Sequence, residues 1–169
     1  MPIVSTDIDF HLSGGAANAD PNASLGGIIS ANQIVDASLH NLFDQVSGAE
    51  ASAGDVEYRC LYVKNAHGTL TLQNAVIYVL TETPSADSDE LIGLGTSAVN
   101  GVEQTVADES TAPIGVTFAQ ANGSGNALSI GDIPAGQHKA IWIRRDISAA
   151  ASAVNSDASV LRVQGETAA

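Results

Sequence analysis

A two-sheet antiparallel β-sandwich is the fold this sequence predicts, and three observations predict it. From Val56 onward the chain consists of short apolar runs separated by turn-forming residues, with few stretches that favour long helices. About seven to nine such runs fall within roughly 110 residues, the density of an all-β domain. The apolar residues are chiefly Val, Ile, Leu and Ala, and only seven of the 169 residues are aromatic, so the core has to be aliphatic. The strand number and spacing fit a sandwich of immunoglobulin-like type, with a barrel or jelly roll as the alternative.

Residues 1–55 have a different texture and read as an N-terminal arm. HLSGGAANADPNASLGG is dense in turn formers, including Gly14, Gly15, Asp20, Pro21, Gly26 and Gly27. Further on, Val35, Leu39, Leu42 and Val46 recur at helical spacing, with Phe43 beside them. Asp36 is a candidate N-cap and Gly48 a candidate stop, which predicts one short amphipathic helix over about residues 36–47.

The sandwich domain is expected over residues 56–169. EYRCLYVK reads as a strand and NAHG as a turn, and TLTLQNAVIYVL as one long strand or two broken near Gln73 and Asn74. Residues 84–90 read as an acidic loop. LIGLG, VEQTV and IGVTFA read as shorter strands, with ADESTAP between the last two. ALSIGDI and HKAIWIRRDI flank the tight connection PAGQ, and ASVLRVQGE closes the chain.

Two strands break the one-dry-face pattern of a half-buried sheet. AVIYVL is apolar in both registers, and KAIWIRR sets Ile141 and Ile143 on one face and Ala140 and Trp142 on the other. If these are the neighbouring central C and F strands of an immunoglobulin-like sheet, its outer side must also be covered. The arm and its helix, or another subunit, would do so.

Charge excludes some partners. Nineteen acids against six bases give a net charge of −13. Residues 1–58 hold eight acids and no Lys or Arg, and residues 65–138 repeat that balance. Such a surface repels nucleic acid. The bases lie in or beside strands, where an arginine pairs with carboxylates: Arg59 with Glu57 or Glu50, and Arg144 or Arg145 with acids of loops or of a second copy. The N-terminus has no signal-peptide pattern and AVIYVL is too short to span a bilayer, so a soluble chain made in the cytoplasm is expected, with no membrane partner.

Reaction chemistry is thinly signalled. There is no G-x-S-x-G turn, and Cys60 sits in an apolar strand where it packs as a small hydrophobe. His11, His40, His67 and His138 are scattered singly, and DID and DSDE lack the continuation that wraps calcium. No phosphate cradle is present. No catalytic, metal or cofactor site is expected. Trp142, mid-strand between isoleucines, reads as a core or interface residue before a sugar platform.

YVKNAHGTLTLQNAVIYV and LSIGDIPAGQHKAIWIRRDI resemble the B–C and E–F halves of immunoglobulin-like structural modules. More closely, the order NLFDQVSGAE, EYRCLYVKN, LSIGDIPAGQ, AIWIRR and LRVQGET is similar to small virion structural proteins of tailed bacteriophages, over about residues 39–166. That resemblance implies a non-enzymatic virion subunit present in many copies, foremost a capsid decoration or cement protein, then a neck, tail or baseplate subunit. Its partners would be the major capsid protein, or tail or neck proteins, and copies of itself. The expected contact residues are Ile8, Phe10 and Leu12 of the arm, Leu39, Leu42 and Phe43 of the helix, and Trp142 and Arg144. Deleting residues 1–30 is then expected to abolish assembly and leave the sandwich folded. The competing reading is a receptor- or glycan-binding module using Trp142, Tyr78 or the loops at residues 84–90 and 121–126.

Overall fold

The computed structural model describes residues 1–167. In chain order the elements are β1 (Ile8–Leu12), β2 (Gly26–Gly27), α1 (Gly48–Ala53), β3 (Asp55–Asn65), β4 (Leu72–Thr81), β5 (Ser88–Leu94), β6 (Glu103–Thr105), β7 (Phe118–Ala119), β8 (Leu128–Ile133), β9 (His138–Ile147) and β10 (Val160–Thr167). They form a five-stranded sheet in the order β1-β3-β9-β5-β7, a three-stranded sheet β10-β4-β8, and the small pair β2-β6, with antiparallel pairing throughout. The expected all-β antiparallel sandwich is present.

The alternation of the strands explains its core. Leu61, Val63, Ile92, Ile141 and Ile143 of the larger sheet meet Ala75, Ile77, Val79, Ile130 and Ile133 of the smaller one in a single buried cluster. TLTLQNAVIYVL gives one strand, β4, rather than two, and near Gln73 and Asn74 its register shifts without breaking it, with Asn74 at φ 51°.

Neither tight connection closes a hairpin. β3 and β4 lie in different sheets, as do β8 and β9, so both turns carry the chain across the sandwich. The buried Asn65 holds the two crossings together. Its Nδ2 donates to Leu70 O at 2.8 Å and to Ile133 O at 2.9 Å, its Oδ1 accepts from His67 N, and its backbone bonds Gln137 and Gly136. It follows that AVIYVL and KAIWIRR are not neighbours. β4 pairs with β10 and β8, whereas β9 pairs with β3 and β5.

The arm is part of the fold. β1 pairs with β3 along its whole length, and residues 30–34 bond back to β1 through Ser30 N to Leu12 O and Ile34 N to Phe10 O. Where β1 ends, the β3 edge is continued by Cys60 N to Ser24 O and Tyr58 N to Glu109 O, both 2.7 Å.

The predicted helix at residues 36–47 is absent. That segment is a run of turns in which Ala37 and His40 take φ of 55° and 56°, which no right-handed helix permits. The apolar side chains diverge as a result: Leu42 and Phe43 pack on the core, while Val35 and Leu39 face solvent. The helix that does form, α1, begins where a stop was expected. Ser47 caps it, with Ser47 Oγ accepting from Glu50 N and Glu50 accepting from Ser47 N. Residues 84–90 are also less loop than expected, since β5 begins at Ser88.

Candidate functional site

The second face of the five-stranded sheet carries Tyr58, Cys60, Tyr62, Ala140 and Trp142, all buried. Ile29 of the arm, Val106 and Val116 of the excursion between β6 and β7, and Phe118 of β7 cover it. Trp142 is 0% exposed. Its face is therefore closed by the chain itself.

Tyr62 fastens this cover. Its hydroxyl donates to Gly27 O on β2 and accepts from Glu103 N on β6 at 3.0 Å, so one phenol ties both short strands to the sheet. Gly26 makes the approach possible: it takes φ 94°, and a Cβ there would lie 1.8 Å from Gln104 O. Burial acts to raise the Glu103 carboxyl, but hydrogen bonds from the Ser97 and Thr96 backbone and side chains outweigh it and hold it down at about 2. Burial raises the Tyr62 hydroxyl to about 12.

At the far end of the inner face the apolar core gives way to ions. Glu57 and Arg145 are direct cross-strand partners, and Arg145 Nε donates to Glu57 Oε2 at 2.6 Å. Arg145 also donates to Asp44 O at 2.9 Å, while Arg59 pairs with Glu109 and donates to Asn22 Oδ1 at 3.1 Å. Between them lies Phe43, its ring centroid 4.6 Å from the Arg145 guanidinium carbon and 5.4 Å from that of Arg59. Arg59 thus pairs with Glu109 rather than with the expected Glu57 or Glu50. No local signal marks Glu109, which arrives from the β6–β7 excursion.

The carboxylates of Asp44, Glu57 and Glu109 offer oxygens within 4.8 Å of one another. Each of the three already pairs with Arg59 or Arg145, so the geometry is that of an ionic core. Burial, followed by repulsion from Asp157 and Glu82, pushes the adjacent Glu90 carboxyl up to about 7. Cys60 is likewise inert: it is 0% exposed, and burial raises its thiol.

The residues expected to make contacts are therefore distributed unevenly. Ile8 and Phe10 are half-buried on β1 against the core, Leu12 is buried, and Leu42 and Phe43 are half-buried. Arg144 is half-buried and holds Asp146 of its own strand through two bonds of 2.6 and 2.7 Å. Only Leu39, 74% exposed, stands fully free; with the exposed Val35 it flanks a surface depression also lined by Leu12, Ile34 and His40. Exposed apolar side chains that sequence reasoning missed are Ile28, Val102 and Ile114, the last held outward by the Gln104 amide bonding Ile114 N and O. On the outer face of the small sheet, an open cleft lies between Asn74, Val76, Ser124, Gln164 and Glu166. Among the described residues no helix is long and apolar enough to cross a membrane.

No family model matches the chain, and neither a curated protein nor a solved structure does.

Proposed function

We propose that this chain is a non-enzymatic structural subunit of a tailed-bacteriophage virion, foremost a capsid decoration or cement protein, bound to other virion proteins and to copies of itself. The observation that carries this reading is the way the sandwich closes both faces of its main sheet from within the chain and yet leaves large apolar side chains on loops. Val35 and Leu39 lie together beside one depression, and Ile114 is 85% exposed. The Val35–Leu39 pair beside a depression supports a surface that another protein covers. The resemblance over residues 39–166 supports the virion assignment.

The finer fold class follows from strand order. An immunoglobulin-like sandwich keeps the consecutive pairs D–E and F–G each within one sheet. Here β3, β4 and β5 change sheet at each step, and so do β8, β9 and β10, while β9 sits between β3 and β5. That pattern is a ribbon folded over on itself, and it favours the jelly-roll alternative. Of the aromatics proposed for a glycan reading, Trp142 and Tyr78 are both buried and present no ring face to a sugar.

The test is to locate a tagged chain in an electron-microscopy map of purified particles. Density repeated over the capsid lattice supports a decoration role, and density at the neck or tail selects the second virion role. Particles that never incorporate the chain refute the reading. The variant Val35→Asp/Leu39→Asp should remain folded and bind particles at least about tenfold more weakly.

A further inference from the structure

The outer edge of β10 is open. Among the described residues β10 pairs only with β4, and no other backbone segment hydrogen-bonds it. An unpaired strand edge is a template for another strand, and most proteins blunt theirs with bulges, proline or charges that repel a copy. β8, the opposite edge of this sheet, is blunted in that way: Gly131 takes φ 84° and the register breaks beside it.

β10 is not blunted. Its two register shifts both place the extra residue on β4, since Val160 to Leu161 matches Thr81 to Val79, and Gln164 to Glu166 matches Val76 to Gln73. The strand itself runs on without a bulge, proline or positive φ. Its two charges are of opposite sign, and Arg162 and Glu166 each lie two residues from Gln164, all three exposed. An antiparallel pair of β10 strands centred on Gln164 sets Arg162 of each copy directly opposite Glu166 of the other, with Cβ atoms about 5 Å apart. The edge is thus complementary to itself. Glu166 accepts from Asn74 Nδ2 at 3.1 Å through Oε2, and among the described residues no hydrogen bond engages its Oε1.

We propose that two copies of this chain associate by antiparallel pairing of their β10 edges about a two-fold axis through Gln164, joining their small sheets into one continuous sheet. Such a contact is isologous and closes as a dimer. The net charge of −13 repels the copies at long range, but at physiological salt that field is screened beyond about 8 Å, and the two cross-strand ion pairs decide the contact. This inference concerns the isolated chain and does not rest on the virion reading.

Sedimentation velocity on the full chain over micromolar to millimolar concentration tests it. The expected result is a concentration-dependent species of twice the 17.1 kDa chain mass. Arg162→Glu and Glu166→Arg should each weaken it at least about tenfold by setting like charges opposite, and the two combined should restore it. Gln164→Cys should give a covalent dimer on mild oxidation, Cys60 being buried and silent, whereas Ser129→Cys on the other edge strand should not. A chain that stays monomeric at every concentration, a dimer indifferent to the charge reversals, or a dimer that Gln164→Cys fails to cross-link would overturn the proposal. So would a monomer that takes up an extended peptide of another protein at this edge instead.

Discussion

Replacing Glu90 by glutamine should stabilise the folded chain above neutral pH and leave it almost unchanged near pH 4. Glu90 sits on the inner face of β5 opposite Arg145, 8% exposed, with Oε2 buried and unpartnered. Burial, then the neighbouring Asp157 and Glu82, raise its carboxyl from the ordinary 4.5 to about 7. Between those two values the folded chain keeps a proton that the unfolded chain has released, so stability falls as pH rises through this window and stays lower above it. At about 1.36 kcal/mol per pH unit the loss is on the order of 3 kcal/mol. Glutamine keeps the shape, has no charge to desolvate, and removes the loss. Urea unfolding of both chains at pH 4, 6 and 8 measures it: the difference between the variant and the parent should grow from near zero to about 3 kcal/mol, or some 6–12 °C in melting temperature. Other titrating groups are common to both chains and cancel. A variant that is no more stable than its parent at pH 8 would show that the Glu90 carboxylate is compensated by Arg145, and the reasoning from burial would fail.

Asn65→Ala should cost about 2–4 kcal/mol, because two donors to Leu70 O and Ile133 O vanish inside the sandwich; equilibrium unfolding reads it. Tyr62→Phe keeps the ring and loses the clamp on Gly27 and Glu103, for about 1–3 kcal/mol, with hydrogen exchange of residues 103–105 rising more than that of β3. Glu57→Gln should cost about 3–5 kcal/mol by leaving Arg145 short of its buried partner. Removing residues 1–30 takes away β1 and Ile29, so the truncated chain should lose the near-ultraviolet signal of Trp142 and unfold rather than survive as a bare sandwich.

The strands were legible because a half-buried strand writes its alternation into the sequence, and the two-sided runs announced correctly that both faces of the Trp142 strand are covered. What covers it was not legible. Ser13, Ser24 and Ile29 come from a glycine-rich segment that meets β3 at Cys60 through the Ser13 hydroxyl and the Ser24 carbonyl, and two such isolated bonds leave no periodic side-chain pattern. Helical spacing at Val35, Leu39, Leu42 and Val46 misled because only some of these residues find an apolar surface, and a period without a matching surface does not make a helix. The usable signal lay just beyond, in the Ser47–Glu50 capping box. The ionic core was half legible: Glu57 and Arg145 face each other once β3 is set against β9, whereas Glu109 and Asp44 come from irregular segments.

The two crossings pinned by Asn65 also govern the order in which this molecule can be made. The largest strand pairing joins β3 to β9, residues separated by most of the domain, and the small sheet is completed only by β10, which follows β9 in sequence. With so few local pairs to build on, folding belongs to the slow, topology-limited regime of milliseconds to seconds. On the ribosome, β1 can meet β3 early, but the other edge of β3 stays unpaired until β9 has emerged, up to residue 147. Until then that strand edge is open to aggregation, and the acidic residues 1–58, which hold no Lys or Arg, would keep neighbouring chains apart during that wait.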